Sequence, residues 1–256
     1  MRNFRGFMTR GNRSWAGIQG GILAWFSSCG VKDFDQNLNS TIDTERAVST
    51  AELYIKTIKE AGPPDWTSVT WYDNKQRFTA GLTGIIMDNV FFAASFEDPE
   101  VSEVVGKVGY APVPAGPDGK RVTNLATWGL AMNSQARNPE ATWLFMQLAT
   151  SKEALLESCC KYHSYMPPRL STWYNPKVIT QTRKWGVDEW KLRKVHDDNI
   201  FTGRSRVVIT PTPAYAVQGD LWMTALHEIH QGAPAKETLS KYARKIEEAL
   251  EEIGLR

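Results

Sequence analysis

Apolar positions along the chain recur mostly at helical spacing. Over 44–61, Ala47, Ala51, Tyr54, Ile55 and Ile58 share one stripe and predict an amphipathic helix. Gly62 offers a left-handed stop, and Pro63-Pro64 bars continuation. A helix is expected over 138–149, with Asn138 as cap, Pro139 in its first turn and Glu140 facing the positive end of the dipole. Thr150-Ser-Lys-Glu153 reads as a capping box opening a second, short helix. Two more follow. One spans 214–231, with Leu221, Trp222, Ala225, Leu226 and Ile229 inward and Gly232 as its stop; the other spans 235–253, with Leu239, Tyr242, Ile246, Leu250 and Ile253 on one stripe. Short apolar runs at GIIM (84–87), VGYAPV (108–113) and WGLAM (128–132) predict buried strands between helices, hence α/β layers. PVPAGPDGK (112–120) reads either as a surface hairpin or as a stiff crossing between lobes.

Composition narrows this picture. The 256 residues are 42% hydrophobic and 23% charged, enough to bury a core in one large domain or two lobes. A net charge of +2 gives no basic footprint for nucleic acid. No stretch reaches the ~20 apolar residues of a membrane span. The segment MRNFRGFMTRGNRSW is basic but has no apolar core or cleavage site, so it does not read as a signal peptide. Of three cysteines, Cys159 and Cys160 are adjacent and ill-placed to bridge each other without strain, and no metal-ligand spacing surrounds them. Ten tryptophans exceed ordinary core needs, and exposed indole faces suit amphipathic ligands.

Catalytic motifs are absent. HEIH (227–230) sets its histidines three apart, where a zinc protease needs four; it reads as a pair of solvated histidines near a helix C-terminus. There is no nucleophile elbow, phosphate loop or dinucleotide fingerprint. Glu97-Asp98-Pro99-Glu100 reads as a solvated acidic turn. Asp88-Asn89 directly follows an expected strand, where α/β proteins meet ligand, and equally fits a helix cap. Trp128 reads as core or as a ligand platform. In SYMPPR, Pro167-Pro168 fixes where Tyr165 and Arg169 point. A ring beside a guanidinium suits a polyhydroxyl ligand, and a salt-bridged turn is the other reading.

Seven segments in order carry a resemblance. RGFMTRG (5–11), LAWFSSCGVKDFD (23–35), PPDWTSVTWYDNKQRFTAGLTGIIMDN (63–89), VGYAPVPAGPDGK (108–120), WGLAMNSQARNPEATWLFMQLATSKEA (128–154), YMPPR (165–169) and the final helix pair resemble the extracellular solute-binding proteins of ABC importers, in the maltose-, sugar- and polyol-binding branch. The resemblance implies a periplasmic-binding-protein type II-like fold of two α/β lobes that close on ligand like a hinged clamp. It implies a periplasmic or extracellular location, a sugar, sugar alcohol or related polyol as ligand, an ABC permease as membrane partner, and neither catalysis nor a cofactor. It raises Asp88, Asn89, Trp128, Tyr165 and Arg169 as ligand residues, with Arg10, Trp15 and Tyr215 added from their matching segments.

Met1 falls where that family is already leaving its first lobe. The expected organisation is therefore a truncated one: 1–110 and 168–256 as the C-terminal lobe, and 111–167 as a remnant of the N-terminal lobe with its crossing segments. Without sheet neighbours, 128–156 is expected to expose apolar surface through which the chain could self-associate. Two alternatives stand beside transport: an orphan lobe without binding activity, and a carbohydrate hydrolase, which would need two facing carboxylates.

Overall fold

The structure, a computed structural model, describes residues 4–162, 166–184 and 189–256. In chain order its elements are β1 (Arg5–Met8), α1 (Trp15–Gln19), α2 (Ile22–Ser28), α3 (Glu45–Ala61), α4 (Trp71–Thr79), β2 (Thr83–Ile86), α5 (Ala93–Phe96), β3 (Thr123–Asn124), α6 (Pro139–Ala149), α7 (Lys152–Lys161), α8 (Leu170–Trp173), α9 (Pro176–Lys184), α10 (Glu189–Phe201), β4 (Ser205–Arg206), α11 (Tyr215–His230) and α12 (Ala235–Glu252). They form two compact units. The first comprises 1–89, 111–125 and 194–256; the second comprises 90–110 and 126–193. These compact units divide the chain at other points than the lobes implied by the resemblance: 90–110 and 168–193 group with 126–167, while 111–125 joins the first unit.

The first unit is a helical layer on a minimal sheet. β1 and β2 pair in parallel, with Phe7 opposite Ile85 and Met8 opposite Ile86. Parallel strands need a crossover, and α3 and α4 supply it. The apolar stripe of α3 works as its spacing predicts: Ala47, Ala51, Tyr54, Ile55 and Ile58 are all buried. They meet Phe26 of α2, Trp222 and Leu226 of α11, and Leu239, Ile246 and Leu250 of α12 in one continuous core. Burying each large side chain contributes roughly 1.5–3 kcal/mol, so this core dominates the unit's stability. Thr44 caps α3 through its side chain. Gly62 ends α3 with an extended backbone (φ −85°, ψ 176°), not the left-handed one expected. Its need for glycine is proximity, since a Cβ there would lie 2.6 Å from the Ile58 carbonyl.

The 112–120 segment is a turn closed by Gly116 N–H donating to the Lys120 carbonyl at 2.8 Å. It lies on the end of α2, where a Cβ on Gly116 would come within 1.9 Å of the Ser28 carbonyl. Arg46 pairs with Asp118 at 2.7 Å beside it.

The second unit has a small core of Ala93, Ala94, Trp173 and Leu192, with Tyr110 and Met166 packed against it. Arg193 stacks 4.1 Å above the Trp173 ring and donates to the Trp173 carbonyl at 2.7 Å. Three expectations are corrected here. VGYAPV and WGLAM are not in strands, because among the described residues neither has a ladder partner. The cap of α7 is Ser151, whose side chain accepts from Ala154 N–H, while Thr150 bonds back to the Met146 carbonyl. The acidic turn is not fully solvated, since Glu97 is buried and its carboxylate accepts from Gly106 N–H at 2.6 Å. Of the stretch 128–156 expected to expose apolar surface, 128–148 does so and α6 buries no residue at all, whereas Leu155 and Leu156 of α7 are half-buried.

Candidate functional site

The strand register creates the most organised polar cluster of the first unit. Met8 and Ile86 are partners across the parallel pair, so the residues two places beyond each, Arg10 and Asp88, emerge together at the carboxyl edge. Arg10 Nε lies 3.0 Å from both Asp88 carboxylate oxygens, and Nη2 lies 2.5 Å from Oδ1. The Arg10 side chain is 11% exposed and that of Asp88 not at all. Arg10 Nη1 also donates to the Ala16 carbonyl at 3.0 Å, fastening α1 to the strand edge.

A third group completes the pair. The capping box of Thr70 and Asp73 starts α4 and sets its rotation. The Thr70 hydroxyl donates to Asp73 and holds that carboxyl below its usual range. One residue on, Asn74 is fully buried, and its Nδ2 donates to Asp88 Oδ2 at 2.7 Å. The Asn89 N–H donates to Asp88 Oδ1 at 2.6 Å. Both Asp88 oxygens are thus engaged from several directions. The carboxylate acts as a strut that orients Asn89, whose residue is exposed, and α1.

Along α1, Trp15 and Tyr215 meet with ring centroids 5.9 Å apart at 54°. The Gln19 amide donates to the Tyr215 hydroxyl. Burial raises the Tyr215 phenol above its ordinary value, and the Gln19 bond offsets part of this. Tyr215 therefore keeps its proton at neutral pH and can donate to a ligand hydroxyl. An aromatic face, an exposed amide and a phenol donor lie on one scaffold, a set suited to a polyhydroxyl molecule.

Five of the eight expected residues are thus linked in the first unit: Arg10, Trp15, Asp88, Asn89 and Tyr215. Trp128 and Arg169 belong to the second. Trp128 is 83% exposed, so in this chain it is not the core residue that was one of its two readings. Arg169 sits at the start of α8, and its Nε donates to the Thr150 carbonyl at 3.1 Å. Tyr165 lies outside the described residues. Asn74 and Gln19 were missed. The signal for Asn74 was a polar residue on the face of α4 shared by Trp71 and Phe78.

Two other features do not join the site. A cavity of about 330 Å³ is lined by Trp25, Cys29, Leu53, Met87, Pro114 and Pro117, with too few polar groups to grip hydroxyls. The histidines of HEIH are not simply solvated: both rings pack on Trp66, and His227 Nε2 lies 2.6 Å from the Gly11 carbonyl. Among the described residues no group of three or more His, Cys, Asp or Glu side chains is placed to hold a metal, and no helix is long and apolar enough to cross a membrane.

Comparison with known proteins adds ancestry. The erythritol/L-threitol-binding protein of Mycolicibacterium smegmatis is 29% identical over 245 residues, which is 94% of this chain and 50% of that one. The mannitol-binding protein of Pseudomonas aeruginosa is 25% identical over 147 residues, 57% of this chain and 34% of that one. An ABC-transporter solute-binding protein from Agrobacterium vitis, solved with bound D-mannitol, superposes with a TM-score of 0.80 at 23% identity, covering 98% of this chain and 62% of that chain. An ABC-transporter solute-binding protein from Agrobacterium radiobacter, in complex with ribitol, gives 0.79 at 22% identity, covering 96% of this chain and 60% of that chain. The chain thus spans half or less of the length of the curated relatives it matches. Its fold is periplasmic-binding-protein type II-like. The sequence model of the bacterial extracellular solute-binding proteins matches residues 6–155, more than half of the sequence, and the chain belongs to that family.

Proposed function

We propose that this chain carries the ligand-gripping part of a substrate-binding component of an ABC importer, and that its ligand is a sugar alcohol or closely related sugar. The observation that carries the reading is the strut of Arg10, Asp88 and Asn74, which presents Asn89 and the Trp15–Tyr215 pair from one rigid edge. The ligands named for two relatives and two of the structural neighbours, erythritol, threitol, mannitol and ribitol, are linear polyols, while another neighbour holds maltose. Their hydroxyls pair with amide and phenol groups, and their C–H faces lie on indole. In this reading Trp128 and Tyr165 contribute from the opposing lobe across an interlobe cleft, and Arg169 from the return crossing that faces it. The segments 1–110 and 168–256 form the C-terminal lobe, 111–167 belongs to the N-terminal one, and a permease receives the closed form outside the cytoplasm.

Hydrolysis is disfavoured by the same geometry, because Asp88, the one acid expected at the site, has both oxygens committed. A lobe without binding activity is the second reading, favoured by the bare apolar surface of 128–148. Thermal shift against erythritol, threitol, mannitol, ribitol and maltose separates the two. Saturating polyol at 100 times its Kd adds about 2.7 kcal/mol, and Asn89→Ala or Tyr215→Phe should lower the response without lowering the unliganded midpoint. Absence of a saturable shift with every compound favours the inactive lobe.

A further inference from the structure

The apolar cavity of the first unit is firmly built, and the polyol reading makes no use of it. It opens where α2, α3, the end of β2 and the 112–120 turn meet. Trp25 and Cys29 come from α2 and its C-cap, Leu53 from α3, Met87 from the residue after β2, and Pro114 and Pro117 from the turn. Each wall is fixed by its own contacts. Ser28 Oγ donates to the Val122 carbonyl at 3.2 Å and accepts from the Val122 N–H at 2.9 Å, while Gly116 seats the turn on the Ser28 backbone. Met87 N–H donates to the Met8 carbonyl at 3.0 Å. The Trp25 ring packs on Phe7 and Tyr54, with centroids 6.0 and 5.5 Å away. The opening is thus held by backbone bonds and packed rings, not by the position of one loose side chain.

The chemistry of the walls selects an occupant. Among the described residues no charged side chain lines the cavity, so an ion would lose hydration there and gain no counter-charge. The one hydroxyl in the lining, that of Ser28, is spent on Val122, so a polyol would leave most of its own hydroxyls unpaired. What remains is an indole, a thioether, a thiol and two proline rings. Sulfur makes favourable contacts with aromatic ring edges, and an indole takes a second ring edge-on or offset. The volume of about 330 Å³ is roughly twice the ~150 Å³ of a dry cavity that holds benzene, so two fused rings fit. We infer that this cavity is a binding site for a neutral bicyclic aromatic molecule of indole size, and that its occupant clamps the 112–120 turn to α2. The site shares no lining residue with the polyol cluster, and the inference stands whether or not the chain binds a polyol.

The test titrates the full chain, labelled with ¹³C at its methionine methyls, with indole, and with cyclohexanol as a neutral ring without π-electrons. Met87→Leu identifies the Met87 resonance. Indole should shift that resonance saturably, with a Kd near or below about 1 mM, and cyclohexanol should not. At saturation, alkylation of Cys29 by iodoacetamide and amide exchange at Gly116 should slow severalfold, while alkylation of Cys160, in the second unit, stays unchanged. Leu53→Asp places a charge in the wall at a side chain that is 53% exposed, so the chain should fold as before and bind indole at least tenfold more weakly. Ala115→Trp, from the exposed turn, fills the cavity with the chain's own indole and should block the probe without adding charge. No saturable Met87 shift up to the solubility of indole, an equal response to cyclohexanol, or a response that survives both variants would each overturn the inference.

Discussion

Replacing Asp88 by alanine tests the strut directly. The carboxylate is wholly buried, accepts from Arg10, Asn74 and the Asn89 backbone, and its removal leaves the nearly buried Arg10 guanidinium with only the Ala16 carbonyl. Breaking a buried pair from one side costs about 3–5 kcal/mol, mostly the cost of the charge left behind. At about 2–4 °C per kcal/mol for a chain of this size, the midpoint should fall by roughly 6–20 °C. Removing both charges together, as Arg10→Met with Asp88→Leu, should cost far less than the sum of the single changes, because no stranded ion remains. Guanidinium unfolding followed by far-ultraviolet circular dichroism measures all four corners of this cycle. A loss below about 1 kcal/mol for Asp88→Ala, or strict additivity in the cycle, would refute the strut. Asn89→Ala is the contrast: an exposed side chain whose loss should move stability by no more than about 0.5 kcal/mol yet weaken polyol binding.

Other parts of the molecule make independent predictions. Burial against Trp66, with Lys59 and His227 adding repulsion, lowers the His230 pKa, so the unfolded chain binds the proton more readily. Stability from this residue is full above the unfolded value near 6.5 and is lost as pH falls through the depressed folded value; His230→Gln should flatten that limb of the unfolding profile. Gly116→Ala should detach the 112–120 turn, because the new Cβ meets backbone of Ser28 and Cys29 at 1.9 and 2.9 Å, and limited proteolysis should then cut there. Thr70→Ala should cost about 1 kcal/mol through loss of the α4 cap, read as a lower chemical midpoint. Cys159 is buried and its thiol is pushed to about 11 by burial and by Cys160, whereas Cys29 and Cys160 are partly exposed. A thiol reagent near pH 8 should label two sites quickly and the third only on unfolding.

Helices were legible in the sequence wherever one face packs on a continuous core. The stripes of α3, α11 and α12 landed inward almost to the residue, and only Ile253, at the frayed end of α12, is exposed. β2 was legible within one residue, but its partner β1 was not, since RGFM has too few residues to show a period. The strands expected at 108–113 and 128–132 were read from apolar content, which reports a tendency to be covered but cannot supply the neighbour that makes a ladder. At the site, position after a strand singled out Asp88, and a ligand role was the natural reading. That its oxygens turn inward depends on Arg10 and Asn74, 78 and 14 residues away, and on a register that no local pattern encodes. Asn74 could have been found by asking why an amide sits on the inward face of a capped helix.

The first unit is discontinuous in sequence, and this has a consequence for how it is made. Its early elements α1 and α3 pack on α11 and α12, which are synthesised only after the whole second unit. Until then Ile18, Tyr54 and Trp66 have no lid. Contacts that close across some 200 residues carry a large loop-closure entropy and arrive slowly. Nascent chains of this protein therefore spend their synthesis with a half-built nucleus in need of shelter from other chains. Closure of this core is thus deferred until α11 and α12 have both been made.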